Sequence, residues 1–458
     1  MPDYSRRSFL EKVSMVAAGA GLELTAKGAF GQSAGDRPAQ AESVEVLNPR
    51  HRVPVSMIID DSTCLVNLAY YAIPQFQHVF PGRYKQPWRS LPREIPDAFV
   101  REFGEWCHEH GVKGKYSIVP YPACVGWMDR ELPGWTRHEL EQSLELVRTL
   151  MMPDWDIHPE MISHTRAIDT KTGRPYPEYT NDFMENWNWT VGKSTDQIAD
   201  YLAYALRILR NVGLPCEGIT SPGGFGHGAL PELSKATLQA CRDVFQTEIP
   251  HYFRDGYTDE RSVMPLVQNA RGLTGHDPEC VVSILCCTDD WFGGWDGLVP
   301  GDSDKFITED LTKGRLVEVI DRGEPAIFFG HWPGIYFNGE EIGFKILKDI
   351  VSRLDERYDD LIWMKLSEIA RYWAARELTS IQIDGASVRF RAPFACEAFT
   401  IGLKMKTGRP WFVSASERRK FKRVEKPLQL VSGAWASEGD RALVCFDLPQ
   451  GESKIEIA

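Results

Sequence analysis

Among these 458 residues there is no C-x-x-C pair, no excess of basic charge, no internal repeat and no low-complexity segment. Each absence removes a class of function. The ten cysteines (Cys64, Cys107, Cys124, Cys216, Cys241, Cys280, Cys286, Cys287, Cys396 and Cys445) are scattered through apolar surroundings. They have neither zinc-finger nor disulfide-scaffold spacing, and read as small buried hydrophobes. A net charge of -12 argues against nucleic acid, whose phosphates require a basic face. The glycine-rich stretch "SPGGFGHGALP" lacks the Lys-Ser/Thr of a phosphate loop and the G-x-G-x-x-G spacing of a dinucleotide site, so it reads as a turn or a substrate-side loop.

What is present is an ordinary globular composition, 43% hydrophobic and 25% charged, in a chain long enough for one large and one smaller domain. Fourteen tryptophans and fifteen tyrosines hint at carbohydrate, whose C–H faces stack on flat rings, although such rings are also common core material. The N-terminus, "SRRSFLEKVSMVAAGAGLEL", places Arg6 and Arg7 before Phe9, Leu10 and a short, Gly/Ala-rich apolar run. This resembles a bacterial twin-arginine export signal, with Glu11 where Lys is usual. The run is too short for a membrane span. The expectation is a signal peptide over 1–32 and an exported, periplasmic or secreted chain without a stable span in its mature form.

Residues 33–52 are polar and read as a linker. From 53 to 375 strand-like runs alternate with amphipathic helical runs, which predicts a parallel α/β architecture. "VPVSMIID", "KGKYSIVPY" and "WDIHPEMISHT" are strands. "TRHELEQSLELVRTLMM" is a helix opened by the capping box Thr136/Glu139. From 376 to 458 the runs are short, β-rich and separated by turns, which predicts a small all-β, sandwich-like domain. Its basic stretch "RRKFKRVEK" reads as a solvated strand edge.

Polar groups collect where the strands of the first region end. Asp60 and Asp61 follow "VSMII", and His164, Arg166 and Asp169 follow the third strand. Pro222 and Gly223 follow "CEGITS", Asp290, Trp291 and Trp295 follow "VVSILCCTD", and His331 and Trp332 follow "AIFFG". In parallel α/β barrels that end of the strands carries the chemistry.

The order of these stretches, over roughly Val53 to Trp373, resembles the polysaccharide deacetylase superfamily of carbohydrate esterases, with a distorted (β/α) barrel. The first motif, T-F-D-D-G, is matched by Ile58-Ile59-Asp60-Asp61-Ser62. The resemblance implies Asp60 as catalytic base and Asp61 as metal ligand. In the second motif, His164 and Thr165 fit, but Ile168 and Asp169 stand near the place of the second histidine. Pro222 and Gly223 match the third motif without its arginine, Asp290-Trp291 the fourth, and His331, in the acid role, the fifth. The reaction implied by the resemblance is removal of acetyl groups from a poly- or oligosaccharide with a divalent metal, Zn²⁺ in the first instance. Asp61 and His164 would be ligands, with Asp169 or His158 as the third. His158 lies six residues before His164, nearly 20 Å away on an extended strand at roughly 3.3 Å per residue, which favours Asp169. Arg166, Pro222, Gly223, Asp290, Trp291, Trp295 and Trp332 are the candidate substrate contacts. Two readings stay open beside this one: a glycoside hydrolase pairing Asp60 or Asp61 with Asp290, and a carbohydrate-binding protein without turnover.

Overall fold

Every residue of the run Val53–Asp60 is buried, which a strand achieves only when both its faces are covered. The computed structural model describes residues 33–404, 408–414 and 417–457; the expected signal peptide, residues 1–32, lies outside the described residues. After a short strand β1 (Val44–Val46), the buried run forms β2, and β3 (Gly114–Ile118) and β4 (Trp155–Pro159) extend it in parallel. A small hairpin, β5 (Ile168–Asp169) and β6 (Arg174–Pro175), comes next. The second sheet contains β7 (Gly218–Thr220), β8 (His251–Gly256), β9 (Leu266–Arg271) and β10 (Glu279–Cys286), parallel except for β9. Strand β11 (Ala326–His331) then returns to β2, and β12 (Leu361–Trp363) pairs with the start of β2.

The expected distorted barrel is corrected in one respect. Strands β4 and β7 lie side by side, as do β10 and β11, but no strand ladder closes either seam among the described residues. At the first seam side chains stand in for the ladder. His158 of β4 reaches Thr220 Oγ1 of β7 at 3.3 Å and His251 Nε2 of β8 at 2.9 Å, and all three side chains are buried. The result is two open sheets whose strand ends converge on one rim.

The helices begin where the caps predict. Thr136 accepts the Glu139 N–H at 3.2 Å while the Glu139 carboxylate accepts the Thr136 N–H at 2.6 Å, opening the helix Arg137–Leu146. Ser194 and Gln197 do the same for Thr195–Asn211. All ten cysteines are unbridged, nine of them buried.

Beyond the helix Leu366–Leu378 come β13 (Ser380–Asp384), β14 (Ser387–Ala392), β15 (Cys396–Lys404), β16 (Pro410–Ser414), β17 (Arg418–Lys420), β18 (Lys422–Arg423), β19 (Ala434–Glu438), β20 (Arg441–Leu448) and β21 (Gly451–Ile457). They form two five-stranded sheets, β13-β14-β21-β16-β17 and β1-β15-β20-β19-β18. Phe390 and Phe412 of the first sheet meet Phe446 of the second, with ring centroids 5.3 and 5.6 Å apart. The basic stretch forms β17 and β18, each an exposed strand at the edge of its sheet, with Phe421 between them buried.

The segment 33–52, expected as a linker, is built into the fold. Its β1 pairs antiparallel with β15, Gly35 bridges Ala270, and Gln40 bridges Ile381. A continuous apolar core joins Val282 and Ile284 of β10 through Trp373 to Phe399 and Phe446 of the C-terminal sheets.

Candidate metal and acid–base site

Asp60 is the last residue of β2, and in the parallel pairing of β11 with β2 its register partner is His331. Neighbouring strands run about 4.8 Å apart, so the two side chains leave their strands at adjacent points. Asp61 comes next with φ of 62°, in the left-handed region that costs most non-glycine residues about 1–2 kcal/mol. Along a regular strand the two aspartates would face opposite ways; the left-handed step breaks that alternation.

The second contributor is the turn after β4. Glu160 directly follows the strand, and Met161 and His164 both take positive φ, 53° and 62°. The turn folds Glu160 and His164 onto Asp61. His164 Nε2 lies 2.7 Å from Asp61 Oδ1 and 3.2 Å from Glu160 Oε1, and Glu160 Oε2 accepts the Asp61 N–H at 2.7 Å. All three side chains are buried, and one donor atom from each lies within 4.8 Å of the others. Burial alone would push the Glu160 carboxyl up; the charge of His164 overrides it and holds the group at about 2. Burial opposes the charged imidazole as well, yet Asp61 and Glu160 raise its pKa well above the usual range. A pocket this favourable to one buried positive charge has the donor chemistry for a divalent ion: two carboxylate oxygens and one imidazole nitrogen.

Asp60 faces a different partner. Lys115, fully buried on β3, donates to Asp60 Oδ1, to the Ile59 carbonyl at 2.9 Å and to Ser117 Oγ at 2.7 Å. Asp60 Oδ2 is buried and has no hydrogen-bond partner among the described residues. Burial and then the charge of Glu160 raise the Asp60 carboxyl to about 6 against the opposing pull of Lys115. Across the strand pair, His331 Nδ1 lies 2.7 Å from Asp290 Oδ2, whose other oxygen accepts the Phe292 N–H at 2.9 Å. Burial disfavours charge on His331, but Asp61, Asp290 and Asp60 outweigh it and bring its pKa to about 9.

Asp60, Asp61, His164, Asp290 and His331 are thus brought to one rim. The structure does not bring Asp169 to it: that carboxylate caps its own hairpin turn, accepting from Lys171 N and Thr172 Oγ1 at 3.0 Å. The third donor is Glu160, four residues before His164 rather than five after it, because the chain reverses at Met161. His158 belongs to the buried seam between β4 and β7. Asp290, expected to touch substrate, is paired with His331 through Oδ2. Trp332 is corrected from a substrate contact to core: it is fully buried against Phe99, Phe103 and Tyr116, with centroids 5.0 to 5.2 Å away.

The remaining candidates are each held by contacts outside the donor cluster. Arg166 donates to the Tyr176 carbonyl and lies over the Tyr179 ring at 4.6 Å, bracing the loop beyond His164. Pro222 and Gly223 lead a loop whose Gly224 N–H binds the Asn186 carbonyl at 2.6 Å. A Cβ on Gly223, at φ of 45°, would stand 2.8 Å from that same oxygen. Trp291 packs on Phe306, and Trp295 on Phe76 and Tyr84.

No protein-family model and no curated protein matches the chain. Some solved structures resemble it in part. A probable polysaccharide deacetylase from Pseudomonas aeruginosa is 12% identical, over 71% of this chain and 91% of that one, with a TM-score of 0.38. A mutant of a CE4 family pseudoenzyme is 12% identical over 73% and 71%, with a TM-score of 0.30. A family 30 glycoside hydrolase, a xylanase from Clostridium acetobutylicum, is 10% identical over 91% and 100%, with a TM-score of 0.30. At such identities the side chains of the site are the guide to its chemistry.

Proposed function

We propose that this chain is a metal-dependent hydrolase acting on carbohydrate, and that it removes acetyl groups from a poly- or oligosaccharide. The observation that carries this reading is the meeting of Asp61, Glu160 and His164 beside Asp60 and His331. Asp61, Glu160 and His164 would hold a divalent ion, Zn²⁺ in the first instance. When bound, such an ion polarises a carbonyl and makes water acidic enough to attack it. Asp60, whose Oδ1 is held by Lys115, would accept a proton at its free Oδ2 as the general base. His331, kept protonated and oriented by Asp290, gives its proton to the departing sugar oxygen or nitrogen. Trp295 and Arg166 are the proposed sugar contacts. Arg6-Arg7 before Phe9-Leu10 supports export by the twin-arginine route.

The test is metal content of the purified protein together with acetate release from acetylated oligosaccharides, with and without chelator. Bound metal and chelator-sensitive acetate release are expected. A protein free of metal after incubation with Zn²⁺, Co²⁺ and Mn²⁺ would overturn the reading, and sugar cleavage undiminished by chelator would replace it with a glycosidase.

A further inference from the structure

Behind the donor cluster lies a second acidic residue that takes no part in the proposed chemistry. Glu185 is fully buried, and its carboxylate collects consecutive main-chain N–H groups: Ile162 at 3.2 Å, Ser163 at 2.9 Å and His164 at 2.5 Å. The Tyr201 hydroxyl donates to the same carboxylate and itself accepts the Ile168 N–H at 2.9 Å. The bound N–H groups belong to the turn bracketed by the left-handed Met161 and His164. Successive N–H groups in such a turn form a concavity suited to an anion, and here a side chain of the protein fills it.

The next residue reaches the same histidine from the side. The Asn186 side-chain amide lies 3.4 Å from His164 Nδ1, with its nitrogen toward the ring and its oxygen buried without a partner among the described residues. Amide oxygen and nitrogen are interchangeable in shape. For Nε2 to serve as a metal donor, Nδ1 must carry the ring hydrogen and give it to an acceptor. Turning the Asn186 amide over supplies that acceptor and provides its orphaned oxygen with a donor in one movement.

We infer that Glu185 and Asn186 are positioning residues for the metal site: Glu185 fixes the main chain that carries His164, and Asn186, with its amide turned over, fixes the imidazole with Nε2 free to bind. This rests on the proposed metal reading and deepens it. The turn that carries His164 is held from behind by a carboxylate outside the donor set.

The experiment is a Co²⁺ titration of the full chain, read by affinity and by the visible absorption of the bound ion, on the parent, Glu185→Gln, Asn186→Ala and Asp61→Ala. Loss of an orienting group behind a ligand weakens metal binding by roughly 10–100-fold. A loss of that order in Glu185→Gln and Asn186→Ala, with an altered absorption spectrum and parental circular dichroism, is expected. Asp61→Ala should abolish binding. Should Glu185→Gln fail to fold, Asn186→Ala alone decides. If the parent binds Co²⁺ and the folded variants bind it with the same affinity and spectrum, the positioning roles fall while the metal site stands. If the parent binds no Co²⁺, the metal reading falls and takes this inference with it.

Discussion

At the scale of single residues, the site is a set of buried charges whose partners decide what each can do. Asp60 is useful as a base once ionised and His331 as an acid while protonated. The rate should therefore rise as pH passes upward through about 6 and fall as it passes through about 9. A cation held by Asp61 and Glu160 favours the ionised Asp60 and offsets the Asp61 charge that supports the His331 imidazolium, so both limbs of the metal-loaded enzyme should lie at or below these values. Asp290→Asn removes a charge that supports the imidazolium, and the upper limb of a kcat/KM profile should move down. An upper limb unmoved by that change would remove Asp290 from the role given to it. Lys115 and Asp60 form an ion pair away from solvent, and removing one member of such a pair costs about 3–5 kcal/mol. In urea unfolding Lys115→Met should show that loss, and Lys115→Met with Asp60→Leu should recover most of it without recovering activity. A double variant as unstable as the single one would mean that the pair is not what Lys115 contributes. Part of the site is legible in the sequence. Two acids at the end of a largely apolar run, and a histidine at the end of another, mark strand ends whatever the fold's details. A lysine within the strand "KGKYSIV" is a further signal, since a buried ammonium must face a counter-ion. Glu160 leaves little trace, because its place depends on left-handed turns at Met161 and His164, and methionine gives no sign of such a turn.

At the scale of elements, strands and helices follow from pattern and caps, whereas the pairing between the two sheets does not. "VPVSMIID" and the two capping boxes carry their own signatures. The strand "HYFRDG" is short, half polar and without clean alternation, and becomes legible only once its neighbours are in place. The seam between β4 and β7 has no signature either, because it is made by side chains from three strands. One glycine makes that packing possible. A Cβ on Gly218 would lie 2.5 Å from the His251 carbonyl oxygen and 2.7 Å from His158 Nε2. Overpacking of this kind costs about 1–3 kcal/mol, so Gly218→Ala should lower the melting temperature of the protein. A melting temperature equal to the parent's would show that the seam can yield by several tenths of an ångström.

At the scale of the whole molecule, the expected division into barrel, linker and β-rich region describes the order of the chain better than its packing. Composition changes near Leu378, but the core does not stop there: Trp373 is buried in one cluster with Val282 and Ile284 of the second sheet and Phe399 and Phe446 of the C-terminal strands. Calorimetry should accordingly record one unfolding transition rather than two. Trp373→Ala should destabilise that single transition by about 3–5 kcal/mol. Two resolved peaks, with only one shifted by the substitution, would restore the picture of independent units. The strand β1 has a consequence in time as well as in space. Val44 pairs with Leu403, and Glu45 meets Arg441 at 2.6 Å, a partner 396 residues further along the chain. A chain growing on a ribosome cannot set this strand until β15 and β20 have emerged, and until then β15 has an open edge. Closing that edge is therefore a late step of folding, in which a strand made early waits for the strands that will hold it.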